Sequence, residues 1–146
     1  MSPAIDTVAF FDALSDEMNA STERLRIVGD ADMTAVVVMH RPGGDLRVRL
    51  VFEGLICAGV AEVSAEEAGH ADFALVGDLA DWQGMFDDIV ANGRATGLWT
   101  INSLALLGDR ISCQGDDPMG LDKFSRFNQT LQEFFDGAAA QAVTTG

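Results

Sequence analysis

Asp87 and Asp88 are adjacent carboxylates in a helical stretch, the kind of pair that acid–base catalysis uses when two environments differ. Both fall off the apolar stripe of Leu79, Trp82, Phe86 and Ile89, so the spacing puts them on a solvated face. His40 and His70 have no cysteine or carboxylate at ligand spacing, and read as a strand-end and a loop histidine rather than metal ligands. Ser103 and Ser112 lack the glycine elbow that exposes a nucleophilic hydroxyl. Cys57 and Cys113 have no local base, and their apolar or strand-like surroundings fit two thiols in a reducing cytoplasm.

Two loops imitate ligand sites. Gly115-Asp116-Asp117-Pro118-Met119-Gly120 has the glycine spacing of a phosphate loop, but Leu121 stands where lysine belongs and both aspartates repel phosphate. Asp30-Ala31-Asp32-Met33-Thr34 starts like a calcium loop, but Ala35 replaces the required glycine and Arg41 the bidentate carboxylate. No catalytic residue, metal or cofactor is therefore expected, and any activity should need neither metal nor nucleotide.

Large apolar groups are the more informative set. At about 100° per residue, Leu121, Phe124, Phe127, Leu131, Phe134 and Phe135 occupy an arc of about 140°. Asp122, Lys123, Arg126, Gln129 and Glu133 form the solvated opposite face. Asn128 sits at the edge of the apolar arc. A buried amide without a partner costs about 1–3 kcal/mol, so it needs a neighbouring backbone group, the favoured reading, or the head group of a ligand. Taken one by one, Trp82, Met85, Phe86, Trp99, Leu104 and Leu107 are ordinary core residues. Together they exceed what one side of a small sheet usually needs. The candidate ligand-binding set is thus Trp82, Met85, Phe86, Trp99, Leu104, Leu107, Phe124, Phe127, Asn128, Leu131 and Phe135.

The elements that must position these residues follow from period and punctuation. Ser2-Pro3 is a cap-then-proline helix start, with Val8, Phe11, Leu14 and Met18 at helical spacing to about Ala20. Arg24 to Gly29 alternates weakly, as a short edge strand would. Thr34 to His40, Leu46 to Glu53 and Leu55 to Val63 read as an antiparallel meander, and the polar loop SAEEAGHA leads to a strand at Asp72 to Gly77. Asp78 caps a helix to about Ala91, ended by Asn92-Gly93. A short helix is expected within Leu98 to Leu107 and a fifth strand at Arg110 to Gln114. Asp117-Pro118 starts the last helix, and Gly137 ends it. Residues 1–137 should form one domain, with 138–146 a flexible tail.

Composition narrows the partners. Among 146 residues, 23 acidic against 9 basic ones leave a formal charge of −14, which repels nucleic acid and anionic membranes. The opening residues lack the pattern of a signal peptide, and no stretch approaches a membrane span, so a cytoplasmic protein without stable membrane insertion is expected.

A helix, a three-strand meander, and Ala71-Asp72-Phe73-Ala74-Leu75-Val76-Gly77 running into Asp78-Leu79-Ala80-Asp81-Trp82 together resemble the type-two sterol carrier protein family of lipid-binding domains. Gly93 matches the glycine after that family's helix. Gly108, Gly115 and Asp116 match its glycine-bounded strand, here one residue longer than usual. The resemblance spans Met33 to Asp136. It implies an α+β fold: a five-stranded, mostly antiparallel sheet with helices on one face and a hydrophobic tunnel between the layers.

The expected function is non-enzymatic carriage of a fatty acid, acyl thioester or sterol-like molecule by desolvation in that tunnel. Two alternatives remain. One is a small cone-shaped α+β isomerase or hydratase using a buried aspartate, with His40 as its partner. The other is a docking module whose last helix is an interface, for instance in a homodimer.

Overall fold

In the computed structural model, which describes residues 4–106 and 110–140, helix α1 (Val8–Ala20) comes first. Its cap is Thr7, whose Oγ1 accepts the Phe10 N–H at 3.3 Å. Thr7 thus takes the role expected of Ser2, which lies outside the described residues with Pro3. Phe10, Phe11, Leu14 and Met18 form its buried stripe.

Helix α2 (Glu23–Val28) stands where an edge strand was expected. Residues two apart share a face in a strand, yet Leu25 is 0% exposed and Ile27 93%. Six residues are too few for alternation to separate the two periods. Gly29 ends the helix at φ 95°, its N–H returning to the Leu25 carbonyl at 2.9 Å.

Five strands follow as one sheet: β1 (Ala31–His40), β2 (Leu46–Gly54), β3 (Ile56–Glu62), β4 (Phe73–Asp78) and β5 (Ile111–Gln114). They lie in the order β3-β2-β1-β4-β5. The meander is antiparallel, β4 runs parallel to β1, and β5 is antiparallel to β4, so the sheet is mixed with its antiparallel pairings in the majority. Central Val37 lies opposite Val48 on one side and Leu75 on the other. Met33, Ala35, Val37 and Met39 face the main core, together with Val48 and Leu50 of β2. Val36 and Val38 point the other way, into a smaller cluster with Val63, Ala68, Ala71, Ala74 and Val76.

That second cluster is roofed by α3 (Ala65–Ala68), in the segment expected to be a polar loop. Ser64 and Glu67 form a capping box, each side chain bonded to the other's backbone N–H at 3.1 Å. The helices are therefore not all on one face: α3 packs on the outer one. On the inner side lie α1, α4 (Leu79–Asn92), a 3₁₀ turn (Gly97–Trp99), α5 (Ile101–Leu106) and α6 (Pro118–Asp136). Asp78 holds the N-cap position of α4, but its side chain makes no cap hydrogen bond. Gly93 closes that helix in the left-handed region, φ 83°. Asp117 caps α6 by accepting the Met119 N–H at 3.0 Å, with Pro118 in the first turn, as the sequence predicts. Beyond Gly137 the chain stays packed: Ala138 is buried and Ala139 rests on the core, so the expected loose tail does not begin at residue 138.

Candidate ligand site between the helices and the sheet

Two backbone approaches hold α4 and α6 against the sheet. The Trp82 indole N–H donates to the Val38 carbonyl at 3.1 Å, within the core. At the start of α6, a Cβ on Gly120 would collide with the Asp72 carbonyl, so only glycine lets this turn lie on the chain entering β4. Asp72 is itself tied down: its carboxylate accepts the Thr34 N–H at 2.8 Å and faces Lys123 Nζ at 3.4 Å. The Ala-Asp of the sequence motif thus joins β1, β4 and α6.

Seven of the eleven candidate ligand residues meet in one cluster. Trp82, Met85, Phe86, Leu104, Phe124, Leu131 and Phe135 are all buried there, while Trp99 and Phe127 pack against it half-buried. The rings touch edge to face. Phe135 lies 5.8 Å from both Trp82 and Phe86, Phe86 lies 4.8 Å from Phe10 of α1, and Phe134 lies 5.3 Å from Phe52 of β2. A continuous aromatic layer therefore runs from α1 through α4 and α6 to the sheet. Each such pair contributes about 0.5–1.5 kcal/mol beyond the area it buries.

The remaining candidates lie at the margin. Asn128 does not point into the layer: its Nδ2 donates to the Ser125 carbonyl at 2.9 Å, the neighbouring-backbone bond favoured from sequence. That bond sits at a break in α6, where Phe127 leaves helical geometry (φ −117°, ψ 16°). Trp99 lies against Gly84, where a Cβ would stand 2.5 Å from the ring, and the Arg110 guanidinium covers it 4.7 Å from the ring centre. Leu107 and Gly108 lie outside the described residues.

Several polar side chains make fastenings that the sequence did not foresee. Asp88 is no idle surface carboxylate; it accepts the Thr96 N–H at 2.7 Å and the Thr96 hydroxyl at 3.0 Å. Gln132 accepts the Ile101 N–H at 2.7 Å, and Asp136 the Ala95 N–H at 3.1 Å. Asn19 brackets Cys57, donating to its carbonyl at 3.0 Å and accepting its N–H at 2.9 Å, which covers edge strand β3. These partners are 8 to 41 residues apart, beyond any local pattern.

Acid–base and metal chemistry find little in the interior. Thr130 is the buried polar side chain among the described residues; no aspartate of the rival enzyme reading is buried there. His40 is half-exposed and bonds Asp45 at 2.9 Å across the β1–β2 turn, a carboxylate partner that its sequence spacing did not suggest. That hydrogen bond, with the Arg47 and Arg41 charges, holds the Asp45 carboxyl below its ordinary value. No group of three or more His, Cys, Asp or Glu among the described residues is placed to hold a metal ion. Both cysteines are free; burial raises the Cys57 thiol and pushes Cys113 up to about 11. No described helix is long and apolar enough to cross a membrane.

Open clefts lie elsewhere. One of about 320 Å³ sits on the outer sheet face, floored by Val38, Ala74 and Val76 and bounded by His40, Asp45 and Arg47. Another, of about 510 Å³, lies between the end of α2, residues 94–97 and α6. None of the eleven candidate residues lines either cleft.

No protein-family model and no curated protein sequence matches the chain. Solved structures do. A conserved hypothetical protein from Thermus thermophilus, itself described as a candidate sterol carrier protein, superposes with TM-score 0.70 at 21% identity over 97% of this chain and 93% of its own. A crystal structure of sterol carrier protein 2 superposes with TM-score 0.68 at 20% identity, over 93% of this chain and 98% of its own. The mixed sheet, the helices across its inner face and the near-complete mutual coverage make this the fold of sterol carrier protein 2.

Proposed function

We propose that the chain binds and carries a single hydrophobic small molecule, of the fatty acid, acyl thioester or sterol class, between α4, α6 and the inner face of the sheet. The observation that carries this reading is the fold shared with sterol carrier protein 2 over nearly the whole of both chains. The apolar layer between helices and sheet supports it. It is rich in rings, and the one buried polar side chain among the described residues is Thr130.

The mechanism is desolvation. Each buried methylene contributes about 0.8 kcal/mol, so a long acyl chain reaches micromolar affinity with few polar contacts. The ligand must take the place of ring–ring contacts, and this lowers the net gain. The break at Phe127 divides α6 between Phe124 and Leu131, so the two halves of the helix can separate from the layer unequally. Carriage needs no catalytic group, metal or cofactor, and a cytoplasmic setting suits the free thiols.

Delipidated protein titrated with oleate and, separately, with cholesterol tests this reading. Saturable binding near one ligand per chain at micromolar concentration supports it. Absence of saturable binding for chemically different lipids, by both tryptophan emission and calorimetry, returns the chain to the enzyme or docking readings.

A further inference from the structure

We propose that residues 93–101 form a strap that opens to admit the cargo and is held shut by Asp88, Gln132 and Asp136; this rests on the carrier reading above. The segment joins α4 to α5 and begins at Gly93 (φ 83°), with a second left-handed glycine at Gly97 (φ 56°). Both conformations disfavour other residues and make natural pivots. Three of its backbone N–H groups bond to side chains of the flanking helices rather than to a ladder: Thr96 to Asp88, Ala95 to Asp136 and Ile101 to Gln132. Gln132 also donates to Asp136 at 2.9 Å, so the two latch residues of α6 brace each other. Each such bond contributes modestly, because water replaces it when the strap lifts.

Beneath the strap lies the core. Ala95 (8% exposed) and Ile101 (1%) belong to the same apolar cluster as Phe135 and Leu131, whereas Leu98 between them is 67% exposed. Lifting the strap withdraws these two plugs and uncovers the end of the aromatic layer. The 510 Å³ cleft runs along it, lined by Ala95, Thr96 and Gly97 on one side and by Gln129 and Gln132 on the other. That side of the strap is open, while Trp99 rests half-buried against Gly84 on the other and must leave with it. Polar fastening over an apolar plug suits a door that must reclose, since the hydrogen bonds restore register after each passage.

Native-state hydrogen exchange on the full chain tests this, paired with stopped-flow uptake of oleate. The amides of Ala95, Thr96 and Ile101 should exchange together, at least tenfold faster than those of Val37 and Leu50 in the central strands. Gln132→Ala, and independently Asp88→Ala, should speed all three by about tenfold, or about 1.4 kcal/mol in the opening equilibrium. Exchange in β1 and β2 should not change, which also shows that each variant is folded. Oleate association should quicken by a similar factor. Exchange of the three amides only with global unfolding, or faster exchange with unchanged oleate association, overturns the strap as the door. If the strap opens as expected but wild-type protein takes up neither oleate nor cholesterol, the carrier reading falls as well. If oleate binds while the strap stays shut, only the door is lost.

Discussion

The indole nitrogen of Trp82 donates to the carbonyl oxygen of Val38 across 3.1 Å inside the core, fastening the first turn of α4 to the central strand. An indole on an apolar helix face would also suit the wet end of a pocket. Its partner is instead a backbone oxygen 44 residues away. Trp82→Phe removes the donor and leaves a smaller ring, so unfolding by denaturant should show a loss of about 2–4 kcal/mol. A loss under about 0.5 kcal/mol would mean that the bond contributes little.

Gly120 and Gly84 lie within helices, where alanine usually helps by up to about 1 kcal/mol. At Gly120 the new methyl meets the backbone of Asp72, which is pinned by Thr34 and Lys123. Gly120→Ala should therefore destabilise by about 1–3 kcal/mol. At Gly84 the methyl meets the half-buried ring of Trp99, a side chain that can swing outward. Gly84→Ala should change stability by less than about 1 kcal/mol and instead shift the Trp99 emission to the red. Thermal melts and emission spectra of the two variants check both expectations.

Cys113 is half-buried, with its thiol pushed up to about 11 by burial. At pH 8 its thiolate fraction is then roughly a hundredfold below that of a thiol at the ordinary value of 9.0. Ellman's reagent should label the folded chain far more slowly than the chain unfolded in guanidinium. The raised value also fixes how stability changes with pH. The neutral thiol is favoured in the fold, so its contribution is complete below pH 9.0 and is lost as pH rises toward about 11. The sign follows from the unfolded chain, which releases this proton first and is favoured as the solution becomes alkaline. Cys113→Ala should flatten the alkaline fall of stability in that window, seen in denaturation midpoints against pH.

The last helix was legible because its apolar period runs through nineteen residues and is announced by Asp117-Pro118. The meander was legible because β2 alternates and β1 is a β-branched run. Short elements were not. Six residues at α2 alternate as well by chance as by design, and the Ser64–Glu67 capping box was present in sequence but outweighed by the polarity around it. The apolar members of the candidate site emerged from periodicity, which fixes a face but not what that face touches. The polar fastenings did not emerge. Asp88, Gln132 and Asp136 act on backbone groups of a segment distant in sequence, and no residue type announces such a contact.

The most direct test of the central claim is an NMR measurement of contacts between uniformly ¹³C-labelled oleate and the delipidated chain at one equivalent. The carrier account predicts intermolecular NOEs from the acyl methylenes to the rings of Phe86 and Phe135, which meet across α4 and α6 at 5.8 Å. NOEs confined to the outer sheet face at Val38, Ala74 and Val76, or no NOEs at saturating oleate, would contradict it.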